Sequence, residues 1–252
     1  VTRWGAVSVD IHKPKPWGGF REFLKEYVII VVGVLTALGG EQAVEALHGM
    51  QKVQAGEAEL RIAFVREVNN AAIRDAQDAC VTRRLASLSA ILRQAEETGR
   101  LPPIAAVGHP AFTPWTVGAW STLVADQTVS HLPRQKAIDY TAIVQQTAYL
   151  SALSDREEDQ WTVLDSMAGP GRRLSDVEAE LLRTTLSMAA GSSAHMTVTG
   201  ARLRDAIKAT GLVGASEFTE AVRRGAEGKS SAEICRPIAA SPPPGEPSSG
   251  RR

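Results

Sequence analysis

Residues Tyr27 to Gly40 read YVIIVVGVLTALGG, a run of consecutive positions without a single charge. As a helix this run is about 21 Å long, short of the roughly 30 Å of bilayer hydrocarbon. Extending it backward through Leu24, Phe23 and Phe20 supplies the missing length. Arg21 and Lys25 are met on the way, and their long stems let the charged ends reach the headgroups. Extending it forward would instead place Glu41 and Glu45 in lipid, which is costly without partners. The backward extension is therefore preferred, with Glu41 at the outer interface. Two other readings compete: the core helix of a soluble protein, and a signal peptide cleaved after the small-x-small triplet Ala37-Leu38-Gly39. The arm ahead of the run is long for a signal peptide and contains Pro14, Pro16, Trp4 and Trp17.

Flanking charge orients the span. Arg3, Lys13, Lys15, Arg21 and Lys25 precede the run, whereas Glu41, Glu45, Glu57 and Glu59 follow it with few bases between. Counting the bases places the N-terminus in the cytoplasm. Trp4, Trp17, Arg21 and Lys25 then form the membrane-interface set on that side. The remainder would face the periplasm of a Gram-negative bacterium, giving a single-pass inner-membrane protein.

Composition makes the rest helical. Aromatics are 5% of the 252 residues, and alanine, leucine and valine supply most apolar character, a mix that suits helices better than a sandwich of strands. Twenty-eight bases balance twenty-eight acids, so no overall field would draw nucleic acid, and DNA or RNA is not expected as a partner. After the span no proline intervenes until Pro102, and Gly49 and Gly56 are the main threats to one continuous helix ending near Gly99. Leu60, Phe64, Val68 and Ala71 form one apolar stripe; Val81, Leu85, Leu88 and Leu92 form another. Further helices are predicted from Trp115 to Val129, from Pro133 to Met167 and from Ser175 onward, with a last one from Ser216 to Ala226. Two interruptions are also expected: a junction near Ser154, where Ser154 and Glu157 have capping-box spacing, and a bend at Gly191-Ser192-Ser193.

The fold class is therefore all-α: one N-terminal transmembrane helix continuing into an extramembrane antiparallel helical bundle. The organisation is a cytoplasmic and interfacial arm (1–19), the span with its outer extension (20–47), a periplasmic bundle (48–238) and a disordered Pro/Ser-rich tail (239–252). Cys80 and Cys235 are far apart and neither belongs to a CxxC pair. They are either separate thiols or, in an exported domain, a disulfide closing a loop of roughly 150 residues.

No motif carries chemistry. His12, His48, His109, His131 and His195 stand apart from one another and outside any HExxH frame, so no metal site is expected. Ser192-Ser193-Ala194-His195 brings hydroxyls near an imidazole only in sequence. Glu157, Glu158 and Asp159 read as a solvated helix start. No phosphate loop or nucleophile elbow occurs, and neither a catalytic residue nor a cofactor is assigned. One feature points to association. Gly33, Ala37 and Gly40, with Thr36 beside them, put small side chains on one face of the span, and Glu41 lies one turn beyond Ala37 on that face. Such a face admits another membrane protein or a second copy as well as lipid.

The segment Phe20 to Leu47 resembles the start of uncharacterised bacterial single-span proteins classed as domains of unknown function. The shared features are the F-x-K-E approach, the VVGVLTAL span and an acid or amide directly after it. The resemblance implies a membrane protein with its N-terminus inside, and implies no activity. The reading that follows is a non-catalytic accessory subunit docking on a larger inner-membrane or envelope complex. The alternatives are a periplasmic ligand-sensing module acting through a partner, and an enzyme whose site is assembled from distant residues.

Overall fold

The computed structural model describes residues 19–227 and 233–238. Trp4 and Trp17, most of the interfacial arm and the 239–252 tail lie outside the described residues. The chain divides into two compact units, Val1–Gln51 and Lys52–Arg252.

Helix α1 runs without interruption over Phe20–Thr98, so neither Gly49 nor Gly56 breaks it. In the first unit it carries the apolar run, and an eighteen-residue window there has mean hydropathy 1.7 with none of it buried. This is the one described helix long and apolar enough to cross a membrane. It ends at Gly99, whose φ of +68° turns the chain out of the helix at no steric cost.

The second unit is built on the rest of α1 together with α2 (Gly118–Ala125), α3 (Arg134–Leu164), α4 (Asp176–Thr210) and α5 (Ala215–Glu227). Two two-residue strands, β1 (Arg100–Leu101) and β2 (Arg172–Arg173), pair antiparallel and hold the start of α4 beside the end of α1. Cross-links between helices give their directions. Glu57 meets Tyr140 and Arg74 meets Glu157, so α1 and α3 run the same way. Glu96 meets Arg183, Asp78 meets Thr197 and Asp75 meets Arg204, so α4 runs antiparallel to α1.

Parallel neighbours need a connection that returns the whole length of a helix. Here the return is made by the extended segment after β1. The Ala111 N–H donates to Gln77 Oε1 at 3.1 Å, Asn70 Nδ2 donates to the Pro114 carbonyl at 3.1 Å, and the Thr116 N–H donates to Glu67 Oε1 at 3.3 Å. The spacing follows from elementary geometry. Ten helical residues from 67 to 77 rise about 15 Å, and five extended residues from 111 to 116 cover about 16 Å. Polar side chains of α1 thus satisfy a backbone that has no sheet to pair with. The segment delivers α2 to Gly56, where an added Cβ would stand 2.9 Å from Leu123. The glycine that weakens α1 is what lets α2 approach.

Some boundaries differ from expectation. The helix predicted from Trp115 begins only at Gly118 and gives way at Ala125 to a short 3-10 turn, Thr128–His131. No junction interrupts the chain near Ser154 and no break occurs at Gly191, because α3 and α4 are continuous through both. Ser175 does cap α4, accepting from the Glu178 N–H at 3.3 Å, while the Glu178 carboxylate is held by Arg172 at 2.8 Å. Leu182, Leu186, Met196, Leu203 and Ile207 make the buried face of α4, whereas Val177, Leu181 and Met188 are exposed.

The core consists of two apolar clusters. One gathers Leu60, Phe64, Tyr140, Leu150, Leu203 and Ile207. The other gathers Val81, Leu88, Trp161, Leu164, Leu182 and Leu186. Among the aromatics, Trp115, Tyr140 and Trp161 are buried, and Tyr149 is 45% exposed.

Candidate functional site

Four features have the makings of a site: the span face, a charged layer in the core, a covalent clasp and a groove between α1 and α4.

On the span, Gly33, Thr36, Ala37, Gly40 and Glu41 are all exposed. A Cβ added at Gly33, Gly39 or Gly40 would meet nothing within 4 Å, so the backbone there is open to close approach by another helix. The Thr36 hydroxyl donates to the Val32 carbonyl at 2.7 Å, which satisfies it without a partner and leaves its methyl outward. Arg21 and Lys25 occupy the first turns of α1, both exposed. Phe23 and Tyr27 stack at 6.3 Å on the same stretch.

Between the two apolar clusters lies a charged layer. Arg74 Nη2 donates to Glu157 Oε1 at 2.6 Å and to Ser193 Oγ at 2.8 Å, joining α1, α3 and α4 at one level. The paired side chains are 5% and 2% exposed. Burial pushes the Glu157 carboxyl above its ordinary value, against the opposing pull of Arg74. Arg74 Nε and Gln160 Oε1 are buried and have no hydrogen-bond partner among the described residues. This corrects the expectation for Glu157, which is not part of a solvated helix start; only Glu158 and Asp159 are exposed. Ser193 and His195 are neighbours in sequence only: the Ser193 hydroxyl is buried against Arg74, while His195 is exposed on the same helix.

A second buried acid, Glu67, accepts from Arg66 Nε at 3.2 Å, Asn70 Nδ2 at 3.3 Å and the Thr116 N–H. Burial again raises its pKa, and these donors oppose the rise. Glu67 and its partner positions on α1 were legible in principle. Positions 60, 63, 67, 70, 74, 77, 81, 84 and 88 follow one 3-4 repeat, and all nine are buried. Polar residues at 67, 70, 74, 77 and 84 within that apolar repeat are the signal that a search for apolar stripes alone passes over.

Cys80 and Cys235 form a disulfide, with an S–S distance of 2.08 Å and Cα atoms 4.8 Å apart. It fastens the 3-10 turn Glu233–Cys235 to α1. Arg84 Nη2 reinforces the clasp by donating to the Ile234 carbonyl at 3.3 Å and to the Arg236 carbonyl. Ile234, 2% exposed, fills the space beside them. Among the described residues no three His, Cys, Asp or Glu converge on a metal-sized space. His48, His109, His131 and His195 are exposed, and His109 stacks on Phe112 at 5.2 Å.

No family model, curated protein or solved structure matches this chain.

Proposed function

We propose that this protein is a membrane-anchored, non-catalytic accessory subunit that docks on a larger bacterial inner-membrane or envelope complex through its span and its helical domain. The observation that carries this reading is the apolar window of α1, hydropathy 1.7 and wholly uncovered, which water cannot solvate cheaply. Lipid is one occupant of that surface. The open face of Gly33, Ala37 and Gly40, ending at Glu41, suits a neighbouring helix, because an acid at the interface is better tolerated against protein than against lipid. A homo-oligomer through the same face is a variant of this reading.

The basic residues before the span favour an N-terminus inside the cytoplasm and a bundle in the periplasm. The Cys80–Cys235 disulfide supports that side, since such bonds persist in oxidising compartments. The likeness of Phe20–Leu47 to bacterial single-span proteins points the same way. A non-catalytic role accords with the buried polar groups, which are engaged in holding helices and the return segment together.

The test is purification of the full chain from native membranes in mild detergent. A stoichiometric envelope protein is expected to accompany it, and a chain that emerges alone and monomeric would overturn the docking role. Alkaline carbonate should leave the protein in vesicles, and a C-terminal reporter should be active only outside the cytosol. Release by carbonate, or a cytosolic signal, would overturn the topology.

A further inference from the structure

We infer that the groove between residues 78–96 of α1 and residues 183–198 of α4 is the seat of an amphipathic helix from the partner protein. The inference rests on the docking role proposed above and adds to it where on the bundle the partner lies and what chemistry it carries.

The groove has a volume of about 910 Å³ and is open along one side. Its walls are two antiparallel helices, as the Glu96–Arg183 and Asp78–Thr197 links show. Half of the sixteen lining residues are Ala, Ser or Thr. On α1 these include Thr82, Ala86 and Ser89, and on α4 Ser187, Ala190 and Ala194, spaced three or four apart on each helix. A helix face left to solvent ordinarily carries long charged side chains. Small residues at this spacing on two adjacent helices instead leave a row of holes, the complement of a third helix whose larger side chains recur every three or four residues. Leu85, Leu92, Leu186 and Val198 give those holes apolar walls.

Charge specifies the occupant further. Four of the lining residues are charged, and Arg183 and Glu96 neutralise each other at 2.6 Å. The remaining two stand toward opposite ends. Arg93 has neither a hydrogen bond nor an ion pair among the described residues, and Asp78 accepts only from the Thr197 hydroxyl, at 2.8 Å. They are fifteen residues apart on α1, about 22 Å at the helical rise. A complementary helix therefore presents an acid to Arg93 and a base to Asp78, about fifteen residues apart, with an apolar stripe between. Opposite charges at the two ends also fix its direction.

The test places a photoreactive p-benzoylphenylalanine at Ala190 or Ala194 in the full chain, expressed in native membranes, with exposed Val177 on the same helix as control. The expected result is an adduct from both groove positions to one other protein, at least tenfold stronger than from Val177. Its cross-linked peptide should carry apolar residues every three or four positions and an acid and a base about fifteen apart. Arg93→Glu in the same background should reduce the adduct tenfold or more, whereas Arg202→Glu, an exposed arginine of α4 outside the groove, should not. Adducts to lipid, to a second copy of this chain, to a peptide without that pattern, or no stronger than the control would overturn the inference. If an envelope protein still co-purifies in that case, only the groove assignment fails; if none does, the docking role fails with it.

Discussion

The charged layer admits a sharp energetic test. Replacing Arg74 by Met leaves the Glu157 carboxylate, with a side chain 2% exposed, facing an apolar neighbour. Replacing Glu157 by Leu leaves a guanidinium 5% exposed with only the Ser193 hydroxyl as acceptor. Each single change strands one buried charge, so each should cost about 3–5 kcal/mol. Making both changes removes both desolvation penalties and fills the layer with apolar atoms between two clusters that are already apolar. The double variant is therefore expected within about 1 kcal/mol of the original protein or above it, which puts the coupling energy at 5 kcal/mol or more. The measurement is urea unfolding of the full chain in lipid nanodiscs, followed by far-ultraviolet circular dichroism and by tryptophan fluorescence. Coincident transitions with unchanged slope license the comparison. A double variant as unstable as the two singles summed would refute the reasoning, because it would mean that the layer is held by something other than the pair.

Four further outcomes follow from named positions. Cys235→Ser should lower stability by up to about 5 kcal/mol, given the sequence separation of 155; a loss under about 1 kcal/mol would show that the clasp restrains little of the unfolded chain. Gly225→Ala puts a Cβ 2.6 Å from Ala72 Cβ and 2.7 Å from the Asn69 carbonyl oxygen, and should cost about 1–3 kcal/mol by overpacking. Gly191→Ala, with open space around it in mid-helix, should stabilise by about 0.5–1 kcal/mol; thermal melts that rank the two the other way would contradict the α1–α5 packing. The last outcome concerns pH. Glu157 is raised above its ordinary 4.5, so the native state holds its proton at higher pH than the unfolded chain does. Its contribution is full below the unfolded value and is lost as pH rises through the folded one. Stability of the original protein relative to Glu157→Gln should therefore grow as pH falls from neutral toward 4.5, and a flat or opposite difference in unfolding free energy would show that Arg74 outweighs burial.

The helices were legible wherever periodicity alone decides them. The stripes Leu60-Phe64-Val68-Ala71 and Val81-Leu85-Leu88-Leu92 are both buried, and Gly99 and Ser175 mark real boundaries. Local signals failed where tertiary packing overrides them. Ser154 and Glu157 look like a helix start because an acid three residues after a serine can cap; here the acid is turned inward to meet an arginine eighty-three positions earlier. Gly191 has no proline beside it to break α4, and the apolar face of that helix continues past it through Met196 and Leu203. The return segment was unreadable for a different reason. Its backbone is satisfied by Glu67, Asn70 and Gln77, and nothing in the proline-bearing stretch from 102 to 114 names distant side chains as partners.

Cys235 comes after the five described α-helices, and Cys80 belongs to the first of them. During synthesis the earlier thiol must wait while more than half the polypeptide is made before its mate appears. Oxidation is thereby a late event, confined to copies in which every rod of the bundle has already been produced. The bond works as a record of how far synthesis has gone: a copy truncated before residue 235 has no mate for Cys80 within its own chain and is chemically distinguishable from one that includes it.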